Sequence, residues 1–191
     1  MIDYFALLQL PRRPWLNVEQ LKEKYRQLSI DTHPDQQTRP ASKQVLASDF
    51  ARISEGYRIL LDPKLRLQHL LKLEGVAASA DTVPETLADV FLETGTLVQE
   101  IDRLLSRTTA NTLSKALRQP EILETRKLAA DLLDKLQAIY HNALEELQKL
   151  DQIWISTHEI APELSALSAK LAYLTRWMAQ LEERQFQLSI L

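Results

Sequence analysis

Apolar residues recur every three or four positions through most of this chain, a spacing that gathers them on one face of a helix. The first such run, residues 2–10, carries Tyr4, Phe5, Leu7, Leu8 and Leu10 and predicts a short helix ended by Pro11 and Pro14. Asn17 suits the N-cap of a second helix over Val18–Thr32, with Leu21, Tyr25 and Leu28 on one stripe and Glu19, Lys22 and Arg26 on another. A third helix, from Ala41 or Ser42 to Leu61, repeats the period through Leu46, Phe50, Ile53, Tyr57 and Leu60, and Tyr25, Phe50 and Tyr57 read as core. Asp62 and Pro63 then open a fourth helix, which Gly75 closes in the position where a left-handed residue is favoured.

Residues 76–83, VAASADTV, have no period and read as a linker. Beyond them, stripes run through Leu87, Phe91, Leu97, Ile101 and Leu104, then from Leu128 to Trp154, then from Leu164 to Leu181. The two later stripes approach a heptad repeat, and Pro120 and Pro162 mark the starts of their helices. The expected fold is all-α in two parts: a helical hairpin with flanking short helices over 1–75, and a three-helix bundle over 84–191. Near-heptad stripes are compatible with dimerisation as well as with an internal bundle.

Composition agrees and narrows the chemistry. Glycine occurs 3 times in 191 residues, far below the usual share of about 7%, which favours helix over turn-rich β structure. With a net charge of -3 and a pI near 5.8, no whole-protein field draws in nucleic acid or an anionic membrane. No apolar run reaches membrane-helix length and no signal-type start precedes Asp3, so a cytoplasmic protein is expected. Cysteine is absent, so this chain cannot supply thiolate ligands or nucleophiles, and any zinc or iron–sulfur ligation by cysteine belongs to a partner. His69, His141 and His158 are scattered, and Trp154 and Trp177 read as packing anchors. With no phosphate-cradling loop, nucleophile elbow or carboxylate–histidine set, neither an enzyme nor a cofactor or metal site is expected.

The one sharp interruption is LSIDTHPDQQTRP, Leu28 to Pro40. Pro34 has no N–H and drives His33 out of the α region, so the preceding helix must stop near Thr32. His33, Pro34 and Asp35 then stand at the tip of a helix–loop–helix. On the residues alone they read either as an ordinary helix stop with an Asx-type turn or as a docking point. In the second case Pro34 lowers the entropy lost on docking, Asp35 offers an acceptor for an arginine fork, and Lys22, Lys24 and Arg26 steer an acidic partner. The same three cations also suit a solvated face, since Glu19 and Glu23 interleave with them.

The context of the triplet carries a family resemblance. KYRQLSIDT before it and FARISEGYRILLDP after it resemble the J-domain, the module that stimulates ATP hydrolysis by DnaK-type chaperones, over about residues 2–74. The opening DYF-x-LL-x-LP, the run DPKLRLQHLLKLEG, the lack of a Gly/Phe-rich region and the helical tail make the whole chain similar to the HscB family. That resemblance implies a co-chaperone that activates a DnaK- or HscA-type ATPase and delivers to it an IscU-type iron–sulfur scaffold protein. It implies chaperone-binding roles for His33, Pro34, Asp35, Lys22, Lys24 and Arg26, and client-binding roles for Phe91, Leu92 and Glu100 in FLETGTLVQEIDRLL.

The chain departs from the family pattern at several positions. Asp31 and Thr32 replace a basic or polar residue and an aromatic one, Gln36 replaces a frequent Lys or Arg, and Gly56 replaces a common Ala. Glu93, Thr94 and Gly95 stand where relatives carry a Met-Glu pair, and the N-terminal cysteine zinc site of some eukaryotic relatives is missing. Phe91, Leu92 and Leu97 are at helical spacing and fit bundle core as well as client surface. Two alternatives stay open: a J-domain co-chaperone for a different client, and a helical adaptor with a degenerate J-domain.

Overall fold

Asp3 starts the first helix by accepting the N–H groups of Phe5 at 3.0 Å and Ala6 at 3.2 Å. A computed structural model describes the backbone of residues 1–31, 40–76, 83–107, 112–154 and 157–190, and the side chains of these except 40–46, 112–116 and 157–159. Within them the chain is helical, as α1 (Tyr4–Leu7), α2 (Val18–Asp31), α3 (Pro40–Leu61), α4 (Pro63–Leu73), α5 (Ala88–Ser106), α6 (Thr112–Gln152) and α7 (Thr157–Ser189), with a 3-10 turn over Glu85–Leu87 before α5. No strand occurs among the described residues, so the all-α expectation holds.

α1 is shorter than the run 2–10 suggested, because the chain wraps back on itself after Leu8. Gln9 adopts φ 54°, and the N–H groups of Gln9 and Leu10 reach the carbonyls of Ala6 at 3.1 Å and Phe5 at 2.9 Å. This is the double-bonded stop that usually needs glycine. α4 ends the same way with the expected residue: Gly75 at φ 72° lets Val76 N–H reach the Leu71 carbonyl at 2.9 Å. Its start is also as expected, with Asp62 accepting from Lys64 N–H at 2.9 Å and Leu65 N–H at 3.1 Å.

Compactness divides the chain into two units. The first comprises Met1–Ala80 with Leu144–Ser168, the second Asp81–Ala143 with Ala169–Leu191. In the first, α1, α3 and α4 close around Phe5, Leu8, Leu21, Ile53, Leu60 and Leu70, and Tyr25 stacks on Tyr57 with ring centroids 4.2 Å apart. Phe50 is half-buried. Trp154 packs against this cluster, and Asp151, 8% exposed, accepts hydrogen bonds from Arg13 and from the Trp15 N–H.

A buried guanidinium ties the same unit together. Arg66, 2% exposed, donates through Nε to the Pro14 carbonyl at 2.8 Å and through Nη1 to the Leu60 carbonyl at 2.7 Å, with its plane over Trp15. The Leu60 carbonyl belongs to the last turn of α3, whose carbonyls lack helical partners, so Arg66 caps α3 from α4. Gly56 serves packing: a Cβ there would lie 2.9 Å from Cδ1 of the buried Tyr4.

The second unit is built on Leu87, Val90, Ile101 and Leu104 of the α5 segment against Leu132, Leu136, Leu174, Trp177 and Leu181. Two expectations fail here. Pro120 and Pro162 lie inside α6 and α7 instead of starting them. For α6 the reason is visible, since Arg118 donates to the carbonyls of Leu104 at 2.6 Å and Arg107 at 2.8 Å, so the turns ahead of Pro120 cap the end of α5. Leu128 is exposed, because the buried stripe of α6 runs through Ala129, Leu132 and Leu136, one position out of phase with it. No described helix is long and apolar enough to cross a membrane.

Candidate chaperone and client faces

The sequence placed two groups of residues at work, one on α2 and the loop after it, the other on α5. His33, Pro34 and Asp35, with Thr32 and Gln36, lie outside the described residues.

On α2 the cations do not form one patch. Lys22 and Arg26 are exposed on a common face, where Lys22 Nζ meets Glu19 Oε1 at 2.9 Å and Arg26 binds both oxygens of Glu23 at 2.8 and 3.0 Å. The hydrogen bond and charge of Glu19 raise the Lys22 pKa, those of Glu23 raise that of Arg26, and Arg26 and Gln27 hold Glu23 low, so all stay ionised at neutral pH. Lys24 points elsewhere, half-buried, with Nζ 3.3 Å from Gln9 Oε1. The Lys22–Arg26 face is therefore balanced in charge, and the last turn of α2 carries Asp31 and no base. The same face presents Ile30, 48% exposed, which the sequence reading did not single out. Its position four residues after Arg26 was the available signal.

α5 sorts its residues by phase. Val90, Thr94, Ile101 and Leu104 point inward, and buried Thr94 satisfies its hydroxyl on the Val90 carbonyl at 2.7 Å. Leu97 packs against the core, whereas Phe91 is 43% and Leu92 65% exposed. The Phe91 ring lies 5.9 Å from Trp177, which in turn lies 5.5 Å from Tyr173, and Arg176 sits 5.3 Å above Tyr173. An aromatic seam thus continues from Phe91 onto α7. Tyr173 and Arg176 escaped the sequence reading because only the tertiary fold brings α7 beside α5. Glu100 is half-buried and paired with Arg103, while Glu93 binds Lys135 across to α6. Gly95 is part of the helix, with open space where a Cβ would stand.

Among the described residues no group of His, Asp and Glu side chains could hold a metal ion. Comparison with known proteins finds a family likeness over nearly the whole chain. Residues 3–69 match the DnaJ domain family. The chain is 30% identical to the co-chaperone protein HscB of Proteus mirabilis, covering 97% of this chain and 98% of that one. It is 32% identical to the HscB homolog of an Azoarcus species, covering 86% and 95%. Among solved structures, the chaperone HscB from Vibrio cholerae superposes with a TM-score of 0.64 at 20% identity, over 98% of this chain and 99% of that one. The human co-chaperone protein HscB does so with 0.58 at 18%, over 96% and 82%.

Proposed function

The chain belongs to the HscB family of J-domain co-chaperones, and on that premise we propose that it activates a DnaK- or HscA-type ATPase and brings to it an IscU-type iron–sulfur scaffold protein. The observation that carries the reading is the coincidence of His33-Pro34-Asp35 inside the matched span 3–69 with an exposed apolar pair, Phe91 and Leu92, on a separate helix. One end then engages the chaperone and the other holds the client. This chain hydrolyses nothing itself; it acts, in the cytoplasm, on the chaperone's own ATPase.

In this proposal Pro34 holds the docking loop in a restricted conformation, Asp35 accepts an arginine of the chaperone, and His33 donates or accepts beside it. Lys22 and Arg26 meet the acidic chaperone surface at short range, and Lys24, held on Gln9, flanks that contact. At the other end Phe91 and Leu92, with Glu100 at the rim, bury apolar surface of the client. Leu92 is the stronger contributor, because more of its side chain stands in water and is removed from it on binding. Holding both partners on one chain makes their encounter effectively intramolecular, so modest separate affinities suffice. In this reading the chaperone-engaging J-domain ends at residue 75, residues 76–83 link it to the tail, and the client-holding tail begins at 84.

Two assays test it on the full chain. His33→Gln should abolish stimulation of the chaperone ATPase in a protein with unchanged circular dichroism; an undiminished rate refutes the chaperone assignment. Calorimetric titration with the scaffold protein should show one-to-one binding that Leu92→Ala weakens, by about tenfold for about 1.5 kcal/mol of buried Leu. Saturable ATPase stimulation without scaffold binding would indicate a J-domain co-chaperone with a different client. The balanced charge of the Lys22–Arg26 face favours a second reading, a helical adaptor whose J-domain no longer activates an ATPase. Failure of the wild-type chain to stimulate any DnaK-type ATPase would select it.

A further inference from the structure

His69 lies on α4 with its side chain against the start of α1. It is 8% exposed, its ring 4.9 Å from that of Tyr4 and 5.8 Å from that of Phe5, stacked on the latter within 18°. Its Nε2 is 3.2 Å from the backbone nitrogen of Tyr4. A backbone N–H can only donate, so Nε2 must be the unprotonated ring nitrogen and the imidazole neutral. The Tyr4 N–H is one of the first-turn donors without a helical acceptor, and His69 satisfies it. We propose that His69 is a pH-sensitive latch, which ties α1 to α4 when neutral and releases the start of α1 when protonated.

The chemistry of the release is local. A proton on Nε2 replaces an acceptor with a donor facing the Tyr4 N–H, so the hydrogen bond is lost and two donors oppose each other. The positive ring also meets the positive end of α1. The surrounding charges are known on each side. From the cap of α1, the Asp3 carboxylate favours the protonated ring, but it is already engaged by Arg12 at 2.6 Å and by two N–H groups of its own helix. From the loop after α1, Arg12 opposes protonation; it also approaches Glu74 of α4 at 3.7 Å. On α4 itself, Lys72 opposes protonation. From α3, Glu55 and Arg58 act on the Tyr4 phenol that covers the ring. Burial is the largest influence and, with Arg12 and Lys72, outweighs Asp3, so the His69 pKa falls below its ordinary value of 6.5.

The sign follows from linkage. A histidine whose pKa is lower in the closed state contributes its full stability above about 6.5, where both states are neutral. That contribution is lost as pH falls from there through the closed-state pKa. Release matters beyond α1, since Tyr4 covers Gly56 of α3 and Gln9, just past α1, holds Lys24 of α2. The latch thus connects acidity to the helix that carries the proposed chaperone face.

The test uses the isotopically labelled full chain between pH 7.5 and 5.0. The ring of His69 is titrated by NMR, and the protection of the Tyr4 amide against hydrogen exchange is measured relative to its intrinsic rate. The expected ring midpoint is below 6.5, with Tyr4 protection falling by up to about tenfold per pH unit between 6.5 and that midpoint. The Leu21 amide, buried in the same core, should keep its protection, and His69→Gln, which keeps an acceptor without a titrating proton, should flatten the Tyr4 profile. A midpoint at or above 6.5, equal loss at Leu21, or an unchanged slope in the glutamine variant overturns the proposal. If the variant does not fold, the two wild-type profiles decide alone.

Discussion

Replacing Asp151 by alanine should destabilise the first unit by about 2–3 kcal/mol, and the size comes from what its carboxylate holds. Oδ1 accepts the Trp15 N–H at 3.1 Å and Arg13 Nε at 3.2 Å, while Oδ2 accepts Arg13 Nη2 at 2.7 Å. Arg13 is 47% exposed at its side chain, so the ion pair is worth only about 0.5–1 kcal/mol. Part of it survives alanine, because Nη2 also donates to the Asp151 backbone carbonyl at 3.2 Å. The Trp15 N–H has no such reserve, and losing its acceptor in a half-buried place costs about 1–3 kcal/mol. Asp151→Asn keeps an oxygen for Trp15 and gives up the charge and the acceptor of Arg13 Nη2, a half-exposed interaction, so about 1 kcal/mol is expected. Urea unfolding followed by tryptophan fluorescence reads the difference, since Trp15 and Trp154 both belong to this unit. The midpoint should shift with an unchanged slope. Equal losses for alanine and asparagine would show that the Trp15 N–H is not what the carboxylate serves, and an alanine loss under about 0.5 kcal/mol would remove the whole argument.

Three further outcomes follow from the same geometry. Gly95→Ala should stabilise by about 0.5–1 kcal/mol in thermal unfolding, because the helix gains a better former and the added methyl meets nothing within 4 Å. Gly56→Ala should instead cost about 1–3 kcal/mol, since its methyl would stand 2.9 Å from Cδ1 of a Tyr4 ring that is itself buried; a stabilised variant would mean that Tyr4 gives way freely. Asp31→Lys should lower the concentration needed for half-maximal ATPase stimulation and add salt dependence, by placing a cation at the C-terminal end of α2. No gain in stimulation would remove Asp31 from the explanation of a weak positive face.

Where local chemistry decides, the structure was legible in the sequence. Asn17 and Asp62 cap the helices they were expected to cap, and Gly75 closes α4, because each acts through backbone groups within three residues of itself. Gln9 hid the end of α1, since only the fold's tolerance of φ 54° in a non-glycine residue reveals the stop. Pro120 misled for a related reason: a proline inside a helix costs an N–H bond, and nothing nearby in sequence announces that Arg118 ties the preceding turns to carbonyls of α5. Arg66 and His69 were invisible as core. A charged or titratable residue on an amphipathic helix reads as surface until the groups that satisfy it are seen to converge on it, here the Pro14 and Leu60 carbonyls that accept from Arg66 and the Tyr4 N–H that donates to His69. On α5 the period alone could not separate Phe91 and Leu92 from Leu97, because a one-residue step turns the helix by about 100° and a stripe of that width has two edges.

The charge balance on α2 bears on how the proposed chaperone contact would form. Lys22 with Glu19, and Arg26 with Glu23, make two short dipoles. The field of such pairs falls off faster than that of single cations and is further cut beyond roughly 8–10 Å at physiological salt. Long-range steering by this face is therefore weak, and little acceleration of encounter is available from it. What remains acts at contact: the apolar side chain of Ile30, guanidinium and ammonium groups that can exchange an intrahelical carboxylate for one on the partner, and the His33-Pro34-Asp35 triplet. An exchange of that kind gains less than the full attraction, because Glu19 and Glu23 are left facing the same acidic surface. Under the proposed function, affinity for the chaperone would rest on Ile30 and the triplet more than on charge, and simultaneous capture of the client through Leu92 and Phe91 would supply by proximity what the balanced face does not supply by attraction.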